Sequence, residues 1–193
     1  DNNSGFSPEG VNTSTGNYAY KILDLAIPGI GPSFVFERTY NSQDATDGPL
    51  GYGWTWNFNI SLREESKGEM VLRWGDGKVE VWEPDGSGGY VPMYGVFSEL
   101  IQNPDTTFTL KKKDLTEYHF NLSKQMASMN DEFGNTITFN YTGSILTSIT
   151  DTVGRTITLS YDANNRITNI LDYTGRSATF TYDGSGNLVT GKD

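Results

Sequence analysis

Between residues 130 and 190 the chain spells nearly the same thing three times: NDEFGNTITFNYTGSILTSI, then TDTVGRTITLSYDANNRITNI, then LDYTGRSATFTYDGSGNLVT. A period of about 20 residues is the signature of a repeat architecture, in which each unit is too small to bury its own apolar face and leans on its neighbours. Each copy opens on Asp-x-x-Gly, at Asp131/Gly134, Asp151/Gly154 and Asp172/Gly175. An aspartate accepts hydrogen bonds from its own backbone in a turn, and a glycine supplies the left-handed position of a three-to-five-residue hairpin loop. The strand that follows alternates with period two. Ile137, Phe139 and Tyr141 face one way, as do Ile157, Leu159 and Tyr161, and then Ala178, Phe180 and Tyr182. Phe139, Leu159 and Phe180 should therefore form a column in one core. In the second strand, Leu146 and Ile149 stand three apart, like Ile167 and Ile170, which predicts a bulge or a strong local twist.

The rest of the chain also favours period two over period 3.6, with no convincing amphipathic helix. Residues 53–62 place Trp54, Trp56, Phe58, Ile60 and Leu62 on one strand face, so both tryptophans should be largely buried. Residues 69–82 read as a hairpin about a two-residue Asp76-Gly77 turn, pairing Trp74 with Val79, Arg73 with Glu80 and Val71 with Trp82. That register sets Trp74, Leu72, Met70, Val79 and Val81 on the core face. Trp82, Arg73 and Glu80 fall on the other and form the candidate ligand platform. Residues 83–97 read as loop with one short strand at most, and 106–111 and 115–121 as strands around a Lys/Asp turn.

Chemistry-bearing residues are few. With no cysteine, disulfides, Cys–His zinc sites and thiol nucleophiles are excluded. His119, the sole histidine, has no triad or metal-ligand spacing around it and reads as structural. The acidic turns lack the calcium-loop pattern with its closing glutamate. No catalytic, metal or cofactor site is expected. A net charge of −10 argues against nucleic acid and anionic membranes as partners, and no apolar run is long enough for membrane insertion. The first residue is Asp, consistent with an excised or processed fragment.

Tyr161-Asp162 and Tyr182-Asp183-x-x-Gly186-x-Leu188 resemble the Rhs/YD-repeat family, although Tyr141 is followed by Thr142. The first half resembles the segment that leads into such repeats. Its marks are Thr15-Gly16-Asn17, Ile27-Pro28-Gly29, Arg38-x-Tyr40-Asn41-Ser42 and Gly48-Pro49-Leu50-Gly51-x-Gly53-Trp54. The family includes polymorphic toxins, wall-associated proteins, insecticidal toxin complex subunits and teneurins. The resemblance implies a hollow shell, spiralled from β-sheet and able to enclose a toxic C-terminal segment.

The expectation is an all-β chain: one continuous antiparallel twisted sheet of stacked β-hairpin repeats, part of a YD-repeat shell. Residues 1–62 would be the lead-in or cap, 63–128 irregular hairpins, and 129–191 three repeats. It would be a non-catalytic scaffold at the N-terminal part of a shell or stalk, in a large secreted or cell-surface, toxin-delivering protein. Its partners would be the remainder of its parent chain, further repeats and a C-terminal toxin domain. The alternative is a carbohydrate- or cell-wall-binding module, with cell-surface glycans as partners. A sheet edge left bare near residues 186–190 would also favour edge-to-edge self-association.

Overall fold

The computed structural model describes residue 11 and residues 16–192. Thr15 of the lead-in motif lies outside them. Among the described residues, every regular element is a β-strand and every pairing is antiparallel. The first half builds three small sheets. Strands β1 (Ala19–Ile27) and β2 (Phe34–Asn41) form a hairpin, and β3 (Asp47–Gly48) and β4 (Gly51–Tyr52) a two-residue ladder. Then β5 (Trp54–Trp56) returns to pair with β2. A four-stranded meander follows: β6 (Ser61–Glu64), β7 (Met70–Arg73), β8 (Val79–Pro84) and β9 (Tyr90–Pro92).

From Glu99 the chain becomes a single ten-stranded sheet in strict sequence order. Its strands are β10 (Glu99–Gln102), β11 (Phe108–Lys111), β12 (Glu117–Phe120), β13 (Met126–Asn130) and β14 (Thr136–Thr142). They continue as β15 (Ile145–Thr150), β16 (Thr156–Tyr161), β17 (Ile167–Leu171), β18 (Ser177–Tyr182) and β19 (Leu188–Lys192). The continuous sheet thus starts some thirty residues before the repeats that the sequence marks.

Eight of its nine connections are one device, a three-residue loop. In the loop of residues 151–155, Asp151 N–H donates to the Arg155 carbonyl and Gly154 N–H donates back to the Asp151 carbonyl. The fourth residue always has positive φ: Gly134, Gly154, Gly175 and Gly186 where no Cβ resists it, but also Thr106, Leu115, Lys124 and Asn165. In six loops the first side chain, Asp or Asn, takes two backbone N–H groups on one oxygen; Asp172 Oδ1 accepts from Thr174 and Arg176. The expected Asp cap and left-handed glycine are both present.

The bulge is also where the spacing placed it. Asn140 pairs with Ser148 but Tyr141 with Leu146, so Thr147 is the extra residue, and Thr168 and Val189 repeat the slip. Ala127 does the same between the pairs His119–Ser128 and Phe120–Met126. Phe120-Asn121 therefore occupies the Tyr-Asp position of an earlier unit. Phe139, Leu159 and Phe180 are all buried, with Ile137, Ile157 and Ala178 beside them.

The smaller sheets supply the other side of one core. Leu25, Phe34, Phe36, Trp56 and Phe58 join the same buried cluster as Ile137, Ile149, Ile170 and Phe180. Phe36 meets Phe180 at 5.7 Å between ring centres, and Phe58 meets Phe139 edge-on at 5.2 Å. Ring pairs in such offset geometries contribute about 0.5–1.5 kcal/mol beyond their area.

Two details of the first half differ from expectation. Residues 53–62 are not one strand. Asn57 leaves the ladder to bond the Glu37 backbone from both its N–H and its Oδ1, and Asn59 N–H donates to the Trp56 carbonyl. Trp56, Phe58, Ile60 and Leu62 are still buried, while Trp54 is only partly so. The second difference is the register of β7–β8. The turn is the same three-residue loop, with Trp74 opposite Lys78 and the left-handed residue at Gly77. Arg73 thus pairs with Val79, Leu72 with Glu80 and Met70 with Trp82. A slip of one residue exchanges the two faces of a strand. Trp82 and Glu80 turn inward, and Val79 becomes 52 % exposed.

Candidate functional site

The platform of Trp82, Arg73 and Glu80 does not assemble. Trp82 is fully buried and its Nε1 donates to the Ser98 carbonyl at 3.2 Å. Glu80 is buried too, accepting from Ser98 Oγ at 2.8 Å and Lys78 Nζ at 2.6 Å. Arg73 reaches the other way, to the Asp44 carboxylate and Thr46 Oγ1. The single register slip turns Trp82 and Glu80 inward together, both onto Ser98, and leaves Arg73 on the opposite face. His119 lies 3.1 Å from Thr109 Oγ1 and 3.6 Å from Glu117 Oε2. Among the described residues no group of three or more His, Cys, Asp or Glu side chains is placed to hold a metal ion.

What the fold does concentrate is a seam where the lead-in meets the repeats, and the lead-in motif residues lie along it. Pro49 offers its carbonyl to Ile167 N–H at 2.8 Å and to Tyr182 Oη at 3.4 Å, while Leu50 is fully buried. Pro28 offers its carbonyl to Arg155 at 2.6 Å. Tyr40 packs on Trp54 at 5.2 Å.

Arg38 is the centre of this seam. Its guanidinium makes two parallel bonds to Asp24, at 2.5 and 2.7 Å, and both side chains are about 5 % exposed. Arg38 also lies 5.0 Å from the Trp54 ring and 5.1 Å from Phe180, a residue of the last repeat. Asp24 reaches it only because Leu23 pairs with Glu37 and Leu25 with Phe36, which leaves Asp24 as the extra residue of a bulge. The guanidinium also needs Gly191: a Cβ there would stand 2.6 Å from Arg38 Nη2.

Within the sheet, the tyrosine and aspartate of each repeat do separate work. Tyr161 Oη donates to the Leu146 carbonyl and Tyr182 Oη to the Ile167 carbonyl, both at 2.6 Å, so each tyrosine ties its unit to the bulge of the one before. Burial pushes both hydroxyls well above the ordinary tyrosine pKa. It raises Tyr141 to about 12, although Tyr141 Oη makes no such bond among the described residues. The aspartates hold the turns. Burial opposes ionisation of Asp172, but the bonds from Thr174 and Arg176 outweigh it and bring the carboxyl down to about 2. Asp151 and Asp162 are lowered in the same way, against burial, by Arg155 and Arg166. Carboxylates engaged like this are turn-builders rather than free acids or bases.

A cleft of about 350 Å³ that sequence reasoning did not anticipate opens beside Trp74, between the β1–β2 sheet, the tip of the β7–β8 hairpin and Tyr118 of β12. The sequence placed Trp74 on the core face, and it does pack half-buried against the core, while the rest of the cleft comes from elements distant in sequence.

Comparison with known proteins gives two family-model matches. Residues 8–82 match a domain of unknown function, DUF6531, and residues 146–172 and 161–192 match the RHS repeat. Over 111 residues the chain is 36 % identical to the tRNA nuclease WapA of Bacillus subtilis (strain 168), covering 58 % of this chain and 5 % of that protein. The same identity and coverage hold for the tRNA(Glu)-specific nuclease WapA of Bacillus subtilis subsp. natto and the tRNA3(Ser)-specific nuclease WapA of Bacillus spizizenii. The chain thus spans 5 % of the length of these relatives.

Proposed function

We propose, from the premise that this chain belongs to the Rhs/YD-repeat family, that it is a non-catalytic scaffold forming the N-terminal part of a repeat shell or stalk. The observation that carries this reading is the shared core. The lead-in and the repeat sheet bury their apolar faces against each other, and the lead-in carbonyls of Pro28 and Pro49 accept from the Arg155 side chain and the Ile167 backbone N–H of the repeats. The repeats themselves are structural: identical loops and bulges lengthen a sheet by equal steps. In this reading the lead-in caps the inner face at one end. Further repeats of a longer parent chain extend the sheet beyond β19, and a toxic C-terminal segment lies elsewhere in that chain. The parent is a secreted or cell-surface protein.

The relatives carry nuclease names, so the decisive assay is direct. Purified chain incubated with total tRNA and magnesium should leave the tRNA intact, as expected of an acidic protein whose turn carboxylates are already bonded. Cleavage by the chain that a heat-denatured control lacks would overturn the scaffold reading.

A further inference from the structure

We propose that Glu117, His119 and Asn130 form a binding site for a divalent ion of the zinc type on the outer face of the ten-stranded sheet. Glu117 and His119 are two apart on β12, so both side chains stand on one face. Asn130 of β13 pairs directly with Glu117, which puts it on that face as well. Tyr118 and Met129, paired with each other between them, pack on the core from the other face. Directly opposed residues of an antiparallel pair have Cβ atoms about 4.5–5.5 Å apart, close enough for two such side chains to share one ion.

The scaffold role explains neither of two features of these residues. His119 Nε2 faces Glu117 Oε2 at 3.6 Å, beyond hydrogen-bond reach. That spacing is close to the separation of two ligands on one ion: atoms each about 2.1 Å from a tetrahedral centre stand about 3.4 Å apart. Asn130 Oδ1 is shielded from solvent and accepts no hydrogen bond in the protein. A buried oxygen without a donor is costly, and a cation relieves it.

The surroundings prepare the imidazole. His119 Nδ1 lies 3.1 Å from Thr109 Oγ1, and Asn103 Nδ2 donates to the same hydroxyl at 3.1 Å. A ring that donates from Nδ1 to Thr109 presents the lone pair of Nε2 on the Glu117 side, the arrangement in which histidine binds metals. The one opposing charge is movable. Lys111 Nζ touches the other carboxylate oxygen, Oε1, at 3.2 Å, and its side chain is 41 % exposed.

One imidazole nitrogen with two oxygens suits zinc and its neighbours rather than magnesium or calcium, which take oxygen alone. The net charge of −10 draws a cation to the surface. Bound there, the ion would tie β12 to β13. This is the part of the sheet where Phe120 stands in the place of the tyrosine whose hydroxyl links the later units.

The test uses the whole chain, stripped with EDTA and titrated with zinc chloride. His119 is the sole histidine, so its ring signals in the NMR spectrum report the site without ambiguity. They should move and saturate at a single equivalent, and magnesium or calcium at the same concentration should leave them in place. Thr109→Val, which removes the hydroxyl behind the ring, should weaken zinc by about 10–100-fold, and Glu117→Gln and Asn130→Ala each by at least about tenfold. Lys111→Gln should tighten it. Zinc should also raise the urea midpoint of the unaltered chain and leave that of Glu117→Gln where it was. No shift of the His119 signals up to about 1 mM zinc, or an equal response to magnesium, overturns the proposal. Affinity unchanged in either Glu117→Gln or Asn130→Ala is that of a lone surface imidazole and overturns it as well. If Asn130→Ala fails to fold, Glu117→Gln and Lys111→Gln decide it.

Discussion

Replacing Tyr161 or Tyr182 by phenylalanine keeps the ring and deletes one hydroxyl, which donates a 2.6 Å bond to the Leu146 or Ile167 carbonyl. A typical hydrogen bond contributes about 0.5–1.5 kcal/mol net, and an acceptor left unpaired in a half-buried place costs about 1–3 kcal/mol. Each substitution should therefore destabilise by about 1–2 kcal/mol. Tyr141→Phe is the internal control. It stands at the same place in the first repeat, half-buried against the same core, but its hydroxyl makes no hydrogen bond among the described residues. It should cost less than about 0.5 kcal/mol, in the range of ordinary neutral substitutions. Urea unfolding of the three variants gives the comparison, with midpoints shifting at constant slope if only stability changes. Equal losses at all three tyrosines, or no loss at any, would refute the role given to the repeat tyrosine.

Asp24→Asn or Arg38→Met alone should each cost about 3–5 kcal/mol by stranding a buried charge, and the double substitution far less than their sum; additive losses in the same urea assay would contradict the seam. At low pH, Asp172 loses its contribution as pH falls from about 4, where the unfolded carboxyl titrates, to about 2, where the folded one does, and Asp172→Asn should flatten that limb of a stability–pH series. At high pH the sign reverses: Tyr118 and Tyr141 titrate at about 12 when folded and about 10 when unfolded, so stability should be full below about pH 10 and fall from there towards pH 12. The outer edge of β19 has no strand partner among the described residues, so copies should associate edge to edge more strongly as salt screens the net charge of −10; a monomer in sedimentation at every salt concentration would contradict this.

The repeat sheet was legible because its signals are local. An aspartate and a glycine four positions inclusive, a period of two, and one irregular spacing were enough to place the caps, the left-handed turns, the buried column and the bulge. Residues 106–111 and 115–121 were legible as strands, but their membership of the same sheet was hidden because their residues break the repeat cues while keeping the geometry. Phe120-Asn121 stands for Tyr-Asp, and Thr106, Leu115 and Lys124 adopt the left-handed position that glycine usually announces. The platform failed for a different reason. Asp76-Gly77 is equally compatible with a two-residue and a three-residue loop, and the choice moves Trp82 from one sheet face to the other. The Arg38–Asp24 pair was half legible. Arg38 was part of a recognised motif, but its partner is turned inward by a bulge in β1 that no alternation pattern marks. The Trp74 cleft joins elements far apart in sequence, so no local pattern could show it.

The central claim is that lead-in and repeats are one folded body with one core. Scanning calorimetry of the whole chain tests it most directly. One transition is expected, with calorimetric and van't Hoff enthalpies equal and near 120 kcal/mol, from about 0.7 kcal/mol per residue over residues 16–192. Residues 63–193 alone should show no cooperative transition. Two resolved transitions in the whole chain, or cooperative melting of residues 63–193 by themselves, would contradict the account.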